Sequence, residues 1–179
     1  YPSSRCSLSG MVIGAQDNDM QRDYAYTVSR KASLLQSASA VGIEAAKATV
    51  DRLGARKINT ANVPVLLHRD IASSLFGHYV GAISGGSLYR RSSFLLDSLG
   101  KQVFPEWLNI EERPFIKGGL ASSSFDNEGV ACSDMTIVDG GKLATYLYTT
   151  YSSRKLNTRS NGHAGGIHNW LVGLSLIHI

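Results

Sequence analysis

The chain has 179 residues, of which 43% are hydrophobic and 18% are charged, and its net charge is +4. This hydrophobic fraction is typical of a chain with a packed core and excludes general disorder. The basic residues are scattered instead of forming one stripe, which argues against a nucleic-acid surface. Because no apolar run approaches the roughly 18 residues of a membrane span and no signal peptide opens the chain, we expect a cytoplasmic protein without a membrane partner.

The first 60 residues predict a β-hairpin followed by a helix. Apolar and polar residues alternate over residues 3–15 and again over 22–30, and the turn-forming segment Gln16-Asp-Asn-Asp19 lies between them. From Ser37 to Leu53 the apolar residues recur with a period near 3.6, which predicts a helix. Gly54 follows at the position of a C-terminal cap.

A second set of elements is predicted from Val63 onwards. The apolar run Val63 to Leu67 favours a strand that ends at His68. A helix pattern begins at Asp70, whose carboxylate suits an N-cap, and it stops at the glycine-containing segment 84–87. The helix pattern resumes over Leu88 to Leu99.

Beyond Val103 the sequence favours strands. Residues 135–138 and 143–149 flank Asp139-Gly-Gly141 and predict a hairpin, and residues 152–156 predict a short helix. We therefore expect an α+β fold, with antiparallel hairpins and a mixed sheet packed against two to three helices, formed from parts of two domains.

The tripeptide His68-Arg69-Asp70 is the first candidate for catalytic chemistry. A kinase catalytic loop is excluded because Leu75 occupies the position of the metal-binding asparagine. A zinc helix of the HExxH type needs a second imidazole four residues after the first and a glutamate beside it. Ala72 stands four residues after His68, and Arg69 would repel the metal, so neither requirement is met.

The glycine-rich segment 158–170 is the second candidate. Its two histidines could bind a metal, but the segment contains no Cys, Asp or Glu to complete a ligand set. We favour a loop that contacts a peptide or a partner chain. The predicted contact residues are Asn161, Gly162, His163, Gly165, Gly166 and His168.

For the other polar residues considered, structural roles are expected. Cys6 and Cys132 lack CxxC spacing and are expected to be free thiols. Asp126 and Glu128 are expected to lie in a solvated turn, because a calcium loop needs more oxygen ligands at set spacing.

Four segments together resemble one protein family. They are RDYAYTVSR at 22–30, LLHRDIASSLFGHYVGAISGGSLYRRSSFLLDSLGKQV at 66–103, FDNEGV at 125–130 and YSSRKLNTRSNGHAGGIHNW at 151–170. This set resembles the TldD/PmbA family of metallopeptidase-complex proteins, and most closely its PmbA branch, also called TldE. The resemblance extends over about residues 11–170.

The resemblance allows the metal-binding motif of the family to be compared with this sequence. In the TldD branch the corresponding helix carries an HExxxH motif, and a more distant cysteine completes the metal site. Here His68 matches the first histidine, but Arg69 stands at the glutamate position and Ser73 at the second histidine position. The cysteine position would fall beyond Trp170. The resemblance thus implies no catalytic residue and no metal in this chain, with a divalent metal, expected to be zinc, in a TldD-like partner.

The implied function is that of the non-metal-binding subunit of a cytoplasmic two-subunit peptidase, which trims unfolded peptides and matures peptide natural products. Residues 1–60 would be part of its middle domain and residues 61–172 the N-terminal part of its C-terminal domain. The apolar tail 173–179 looks non-native, so a fragment is expected. Two alternatives stay open: a peptide-binding or assembly module without enzymatic role, and an autonomous metallopeptidase that uses His163 and His168.

Overall fold

The computed structural model describes residues 3–174, apart from the side chains of Arg69, Asp70 and Leu174. The chain divides into two compact units between Pro64 and Val65. Helices and antiparallel sheets occur along the chain, which confirms the α+β class. Within residues 3–174, no helix has both the length and the apolar character that a membrane crossing requires. The assignment of the two parts to a middle and a C-terminal domain stays a prediction.

Unit 1 begins with the predicted hairpin. β1 (Cys6–Gln16) pairs antiparallel with β2 (Asp19–Ser29) along the whole length of both strands. The two-residue turn has a left-handed φ of 53° at Asp17, a residue type that tolerates this region better than most. The turn chemistry of the sequence therefore determines the register of the hairpin.

A helix covers one face of this hairpin. After a 3₁₀ turn at Ala32–Leu34, α1 runs over Ala38–Val50, and the Ser37 hydroxyl caps it by accepting the N–H of Ala40 at 3.1 Å. Val41 and Ala45 are buried against Ala25 of β2. The helix predicted over residues 37–53 is confirmed and ends slightly earlier than expected.

Unit 2 contains a four-stranded sheet. After α2 (Arg69–Ile83) and α3 (Gly85–Tyr89) come β3 (Leu108–Glu112), β4 (Met135–Asp139) and β5 (Lys142–Leu143). The chain continues with α4 (Thr150–Lys155) and β6 (Trp170–Leu174). The strand order is β5-β4-β3-β6 with antiparallel pairs. Within residues 3–174, the parallel pairing expected of a mixed sheet is limited to one isolated bridge, between Ser84 and Leu147.

The core of unit 2 lies between α2 and this sheet. Tyr79 and Ile83 of α2 belong to one buried cluster with Ile110 of β3 and Ile137 of β4. These side chains are fully or almost fully buried. Because side chains alternate along a strand, Glu112 lies on the same buried face of β3 as Leu108 and Ile110.

Three predicted elements differ from the structure. Residues 63–67 form no strand: they are irregular and exposed, with Pro64 lacking an N–H for a strand ladder. The helix predicted over residues 88–99 stops after α3, because Arg91 and Asp97 adopt left-handed φ angles of 56° and 55°. The strand predicted over 143–149 is reduced to β5.

Two predicted elements have other ends in the structure than the sequence indicated. α2 begins at Arg69, so Asp70 lies inside the first turn instead of before it. Of the predicted tail 173–179, Gly173 and Leu174 form the end of β6. Residues 175–179 lie outside the described residues.

Candidate functional site

The structure places the degenerate metal motif at the start of α2. His68 directly precedes the helix, and its carbonyl oxygen accepts the N–H groups of Ile71 and Ala72, both at 2.9 Å. The His68 and Ser73 side chains are exposed. Ser73 offers a hydroxyl where the HExxxH motif has its second imidazole, and the Arg69 guanidinium has no lone pair to donate; the absence of a metal at these positions stays a prediction.

A different set of residues comes together in the core of unit 2. Glu112, at the end of β3, is fully buried, and both His163 and His168 lie against its carboxylate. His163 Nε2 lies 3.1 Å and 3.2 Å from the two carboxylate oxygens, and His168 Nδ1 lies 2.5 Å from Oε1. The main-chain N–H of His168 and the indole N–H of Trp170 also donate to this carboxylate, at 3.2 Å and 2.7 Å. We call Glu112, His163 and His168 the buried triad.

These donors keep Glu112 ionised. Burial by itself raises the pKa of a carboxyl group. At Glu112, the hydrogen bonds and charge of His163, with further bonds from His168 and Trp170, outweigh burial and lower the pKa to about 2. A negative charge therefore lies inside unit 2 at neutral pH.

Asn161 orients the ring of His163. The Asn161 Nδ2 donates to the carbonyl of Tyr146 at 2.8 Å and its Oδ1 accepts the N–H of Tyr148 at 2.7 Å, which sets the amide orientation. His163 Nδ1 lies 2.9 Å from this Oδ1, which can only accept. His163 Nε2 faces the Glu112 carboxylate, so both ring nitrogens of His163 face hydrogen-bond acceptors.

Cys132 extends the network on the far side of His168. Its Sγ lies 3.1 Å from His168 Nε2, and the opposite nitrogen of that ring donates to Glu112. Burial, with the nearby charges of Asp126 and Glu112, raises the pKa of the Cys132 thiol. Cys132 is therefore a neutral donor to His168. Cys6 and Cys132 are both free, as expected.

The buried triad has the composition of a metal site. The three potential ligand atoms lie within 4.8 Å of one another. However, the carboxylate oxygens already accept from two imidazoles, one main-chain N–H and one indole N–H. A divalent ion would have to displace these donors and remove a proton from each ring. The geometry is that of a closed hydrogen-bonded network, and the absence of a metal ligand in this chain stays a prediction.

The predicted contact loop is mostly internal. Gly162, His163 and His168 are buried, and Asn161 is half-buried, whereas Gly165 and Gly166 are exposed. Asp126 is also buried, and it accepts the N–H of Ala164 at 2.9 Å. The solvated turn expected at Asp126 is therefore wrong at this residue. A partner chain could reach the loop at Gly165 and Gly166, and partner binding there stays a prediction.

Sequence reasoning missed Glu112 and Cys132, which lie 51 and 36 residues from their histidine partners. One signal was present for Glu112. It shares an alternating pattern with Leu108 and Ile110 in LNIEE, and this pattern places it on the buried face of β3. An acidic residue at such an inward position predicts a buried charged partner.

Comparison with known proteins defines the family to which this chain belongs. Residues 60–178 match the family described as the PmbA/TldA metallopeptidase C-terminal domain. The chain belongs to this family, as the sequence resemblance implied, and its closest resemblance to the PmbA branch is confirmed.

Individual relatives give a more specific comparison than the family does. The chain is 53% identical to Metalloprotease PmbA of Escherichia coli O157:H7 over 172 residues, which cover 96% of this chain and 38% of that protein. A crystal structure from Bacteroides thetaiotaomicron VPI-5482 superposes with a TM-score of 0.86 at 24% identity, over 94% of this chain and 38% of that chain. TldE from Thermococcus kodakarensis gives a TM-score of 0.72 at 16% identity, over 94% and 40% of the two chains. The chain thus spans about two-fifths of the length of the curated relatives it matches.

Proposed function

We propose that this chain is part of the non-metal-binding subunit of a TldD/PmbA-type metallopeptidase complex. In this proposal a TldD-like partner holds the divalent metal, expected to be zinc, and hydrolyses unfolded peptides and precursors of peptide natural products in the cytoplasm. Membership of a metallopeptidase family supports a role in proteolysis.

The observation that carries the proposal is the pair of substitutions at the start of α2. Arg69 and Ser73 stand where the HExxxH motif needs a glutamate and a histidine. Without the glutamate there is no general base for a metal-bound water, and the permanent charge of arginine opposes a divalent cation. The helix therefore supports a scaffolding role better than a catalytic one.

Metal analysis of the full-length protein tests this proposal. After dialysis against a chelator, we expect the full-length protein alone to retain far less than one zinc per chain, and its TldD-like partner to retain stoichiometric zinc. Peptide hydrolysis should appear only when the two are mixed. Stoichiometric zinc in this protein, or hydrolysis by this protein alone, would contradict the proposal.

A matched pair of substitutions sharpens the test. His68→Gln in this protein should leave the hydrolysis rate of the mixture unchanged, because His68 is not expected to hold a metal. The same change at the first histidine of the partner's HExxxH motif should abolish hydrolysis. A comparable loss from both changes would show that His68 takes part in metal binding.

The alternative, a peptide-binding or assembly module, is favoured by one surface of unit 1. The face of the hairpin opposite α1 exposes large apolar side chains, at Met11, Ile13, Tyr24 and Tyr26 among others. Such a face is typical of a protein-contact surface. If the protein and its TldD-like partner elute separately in gel filtration after co-expression, the module alternative is preferred.

A further inference from the structure

A half-open cleft of about 410 Å³ lies in unit 2, and its lining includes no residue of the buried triad. Its size is within the range of small-ligand pockets. Leu88, Leu96 and Leu156 supply its apolar surface, and Tyr89 and Tyr148 add aromatic rings. The cleft therefore offers an apolar and aromatic surface to a ligand.

Three charged side chains line the same cleft: Arg91, Asp97 and Lys155. Within residues 3–174, the Arg91 guanidinium and the Asp97 carboxylate have no hydrogen bond or ion pair, and the Lys155 ammonium lies over the Tyr151 ring at 5.7 Å. All three are exposed. The cleft thus presents two cations and one anion that the described chain does not neutralise.

The backbone around these charges is unusual. Four non-glycine residues in residues 3–174 have a left-handed φ, and two of them, Arg91 and Asp97, line the cleft. A third, Asn157, directly follows Leu156 of the lining. At Arg91 and Asn157 the left-handed backbone belongs to the C-terminal caps of α3 and α4, in which the N–H of Ser92 donates to Ser87 and the N–H of Thr158 donates to Ser153. Asp97 lies in a turn outside any helix.

Several bonds hold this backbone in place. The Tyr146 hydroxyl donates to the carbonyl of Leu95 at 2.6 Å and accepts the N–H of Ser98 at 2.8 Å, on either side of Asp97. The N–H of Ser92, next to Arg91, donates to the carbonyl of Ser87 at 2.9 Å. The backbone at Asp97 is thus held from the core and that at Arg91 by the C-terminal cap of α3, so both charged residues are presented without a ligand having to order them.

We propose that this cleft binds a short zwitterionic peptide, whose terminal carboxylate lies at Arg91 and Lys155 and whose terminal ammonium lies at Asp97. Its apolar side chains would contact the leucines and tyrosines of the lining. The charge pattern carries this assignment, because two cations and one anion complement a ligand with both charges better than a simple anion. The choice of a peptide rests on the proposed function in proteolysis.

Calorimetric titration of the full-length protein, without any partner, tests the proposal. The probe is leucyl-leucyl-tyrosine, compared with its N-acetylated form and its C-terminal amide. We expect the free tripeptide to bind, and each modification to weaken binding by about threefold to fivefold, as for a solvent-exposed ion pair. No binding of the free tripeptide, or equal binding of all three forms, would overturn the proposal.

Substitutions in the cleft test which charged side chain contacts which end of the peptide. Arg91→Gln should weaken binding of the free tripeptide and reduce its advantage over the amide, because only Lys155 then faces the carboxylate, while its advantage over the acetylated form persists. Asp97→Asn should weaken binding of the free tripeptide and remove its advantage over the acetylated form, while its advantage over the amide persists. Asparagine tolerates the left-handed backbone at this position. Arg154→Gln, which changes an exposed cation of α4 outside the lining, is the matched control and should change neither comparison.

A general loss of binding in all three variants would overturn the assignment of the ends. The comparison of the three peptides on unaltered protein does not depend on any variant folding. Because the titration needs no TldD-like partner, failure of the cleft proposal and failure of the proposed function are distinguishable.

Discussion

Glu112 and Trp170 are register partners on β3 and β6, and the Trp170 indole N–H donates to the Glu112 carboxylate at 2.7 Å. The strand ladder and a side-chain bond therefore join the two strands at the same point. His168, two residues before Trp170, donates to the same carboxylate from its main chain and its ring. One buried charge thus connects the central strand of the sheet to the glycine-rich segment.

We predict that Glu112→Gln strongly destabilises the full-length protein. The change keeps the shape of the side chain but removes the buried carboxylate charge to which His163, His168 and Trp170 are hydrogen-bonded. Removal of one partner from a buried charged pair costs about 3 kcal/mol or more. Urea unfolding followed by circular dichroism measures the free energy of unfolding.

The neighbouring residue provides the control. Glu111 pairs with Arg113 at 2.6 Å, but both side chains are about 40% exposed. Glu111→Gln should therefore cost at most about 1 kcal/mol. An equal loss of unfolding free energy from the two changes would show that the buried triad stabilises the protein no more than an exposed ion pair does.

The lowered pKa of Glu112 predicts a specific acid sensitivity. Its pKa is about 2 in the folded protein, below its ordinary value of 4.5, so the unfolded chain binds a proton first as pH falls. The stabilisation from Glu112 is complete above pH 4.5 and is lost as the pH approaches 2. Urea unfolding across this range should show stability falling with pH.

Other carboxylates with lowered pKa values, among them Asp126, also contribute to this acid slope. The informative quantity is therefore the difference between the unaltered protein and Glu112→Gln. We expect a shallower decline in the variant. Parallel curves for the two proteins would contradict the assignment of the lowered pKa to Glu112.

Two adjacent glycines in the β4–β5 turn should respond differently to alanine. Both have a left-handed φ, 51° at Gly140 and 75° at Gly141. A methyl group at Gly141 would overlap the carbonyl oxygens of Phe104 and Pro105, whereas one at Gly140 would lie 3.7 Å from its nearest neighbour. Gly140→Ala should cost only the backbone strain, about 1–2 kcal/mol, and Gly141→Ala clearly more. Thermal unfolding measures both, and a similar loss would argue against the overlap.

The two cysteines should differ in alkylation by iodoacetamide. Cys132 is buried, its thiol pKa is raised, and it donates to His168, whereas Cys6 is only half-buried. Because the thiolate is the reactive form, Cys6 should be labelled in the native protein and Cys132 only after unfolding. Peptide mass spectrometry identifies the labelled site, and the urea-unfolded protein, in which both should react, is the control. Faster native labelling of Cys132 would show that the raised pKa is wrong.

Local sequence patterns predicted much of the fold. Alternation and the Asp-Asn turn located the first hairpin, and a period near 3.6 located α1 and α2. The prediction of a helix over residues 88–99 was wrong because α3 ends in a cap at Arg91 and because the left-handed backbone at Asp97 is held by bonds of Leu95 and Ser98 to the distant Tyr146 hydroxyl. No local pattern reports such long-range bonds.

The same distinction applies to the candidate site. The sequence by itself determined that Arg69 and Ser73 replace metal-motif residues, and its motifs indicated the family, because these are properties of residue identity and spacing. Only the tertiary structure decided that His163 and His168 are internal partners of Glu112, more than 50 residues away in the chain. The physical reason is the pairing of β3 with β6, which brings the two segments together around one carboxylate that cannot remain buried without donors.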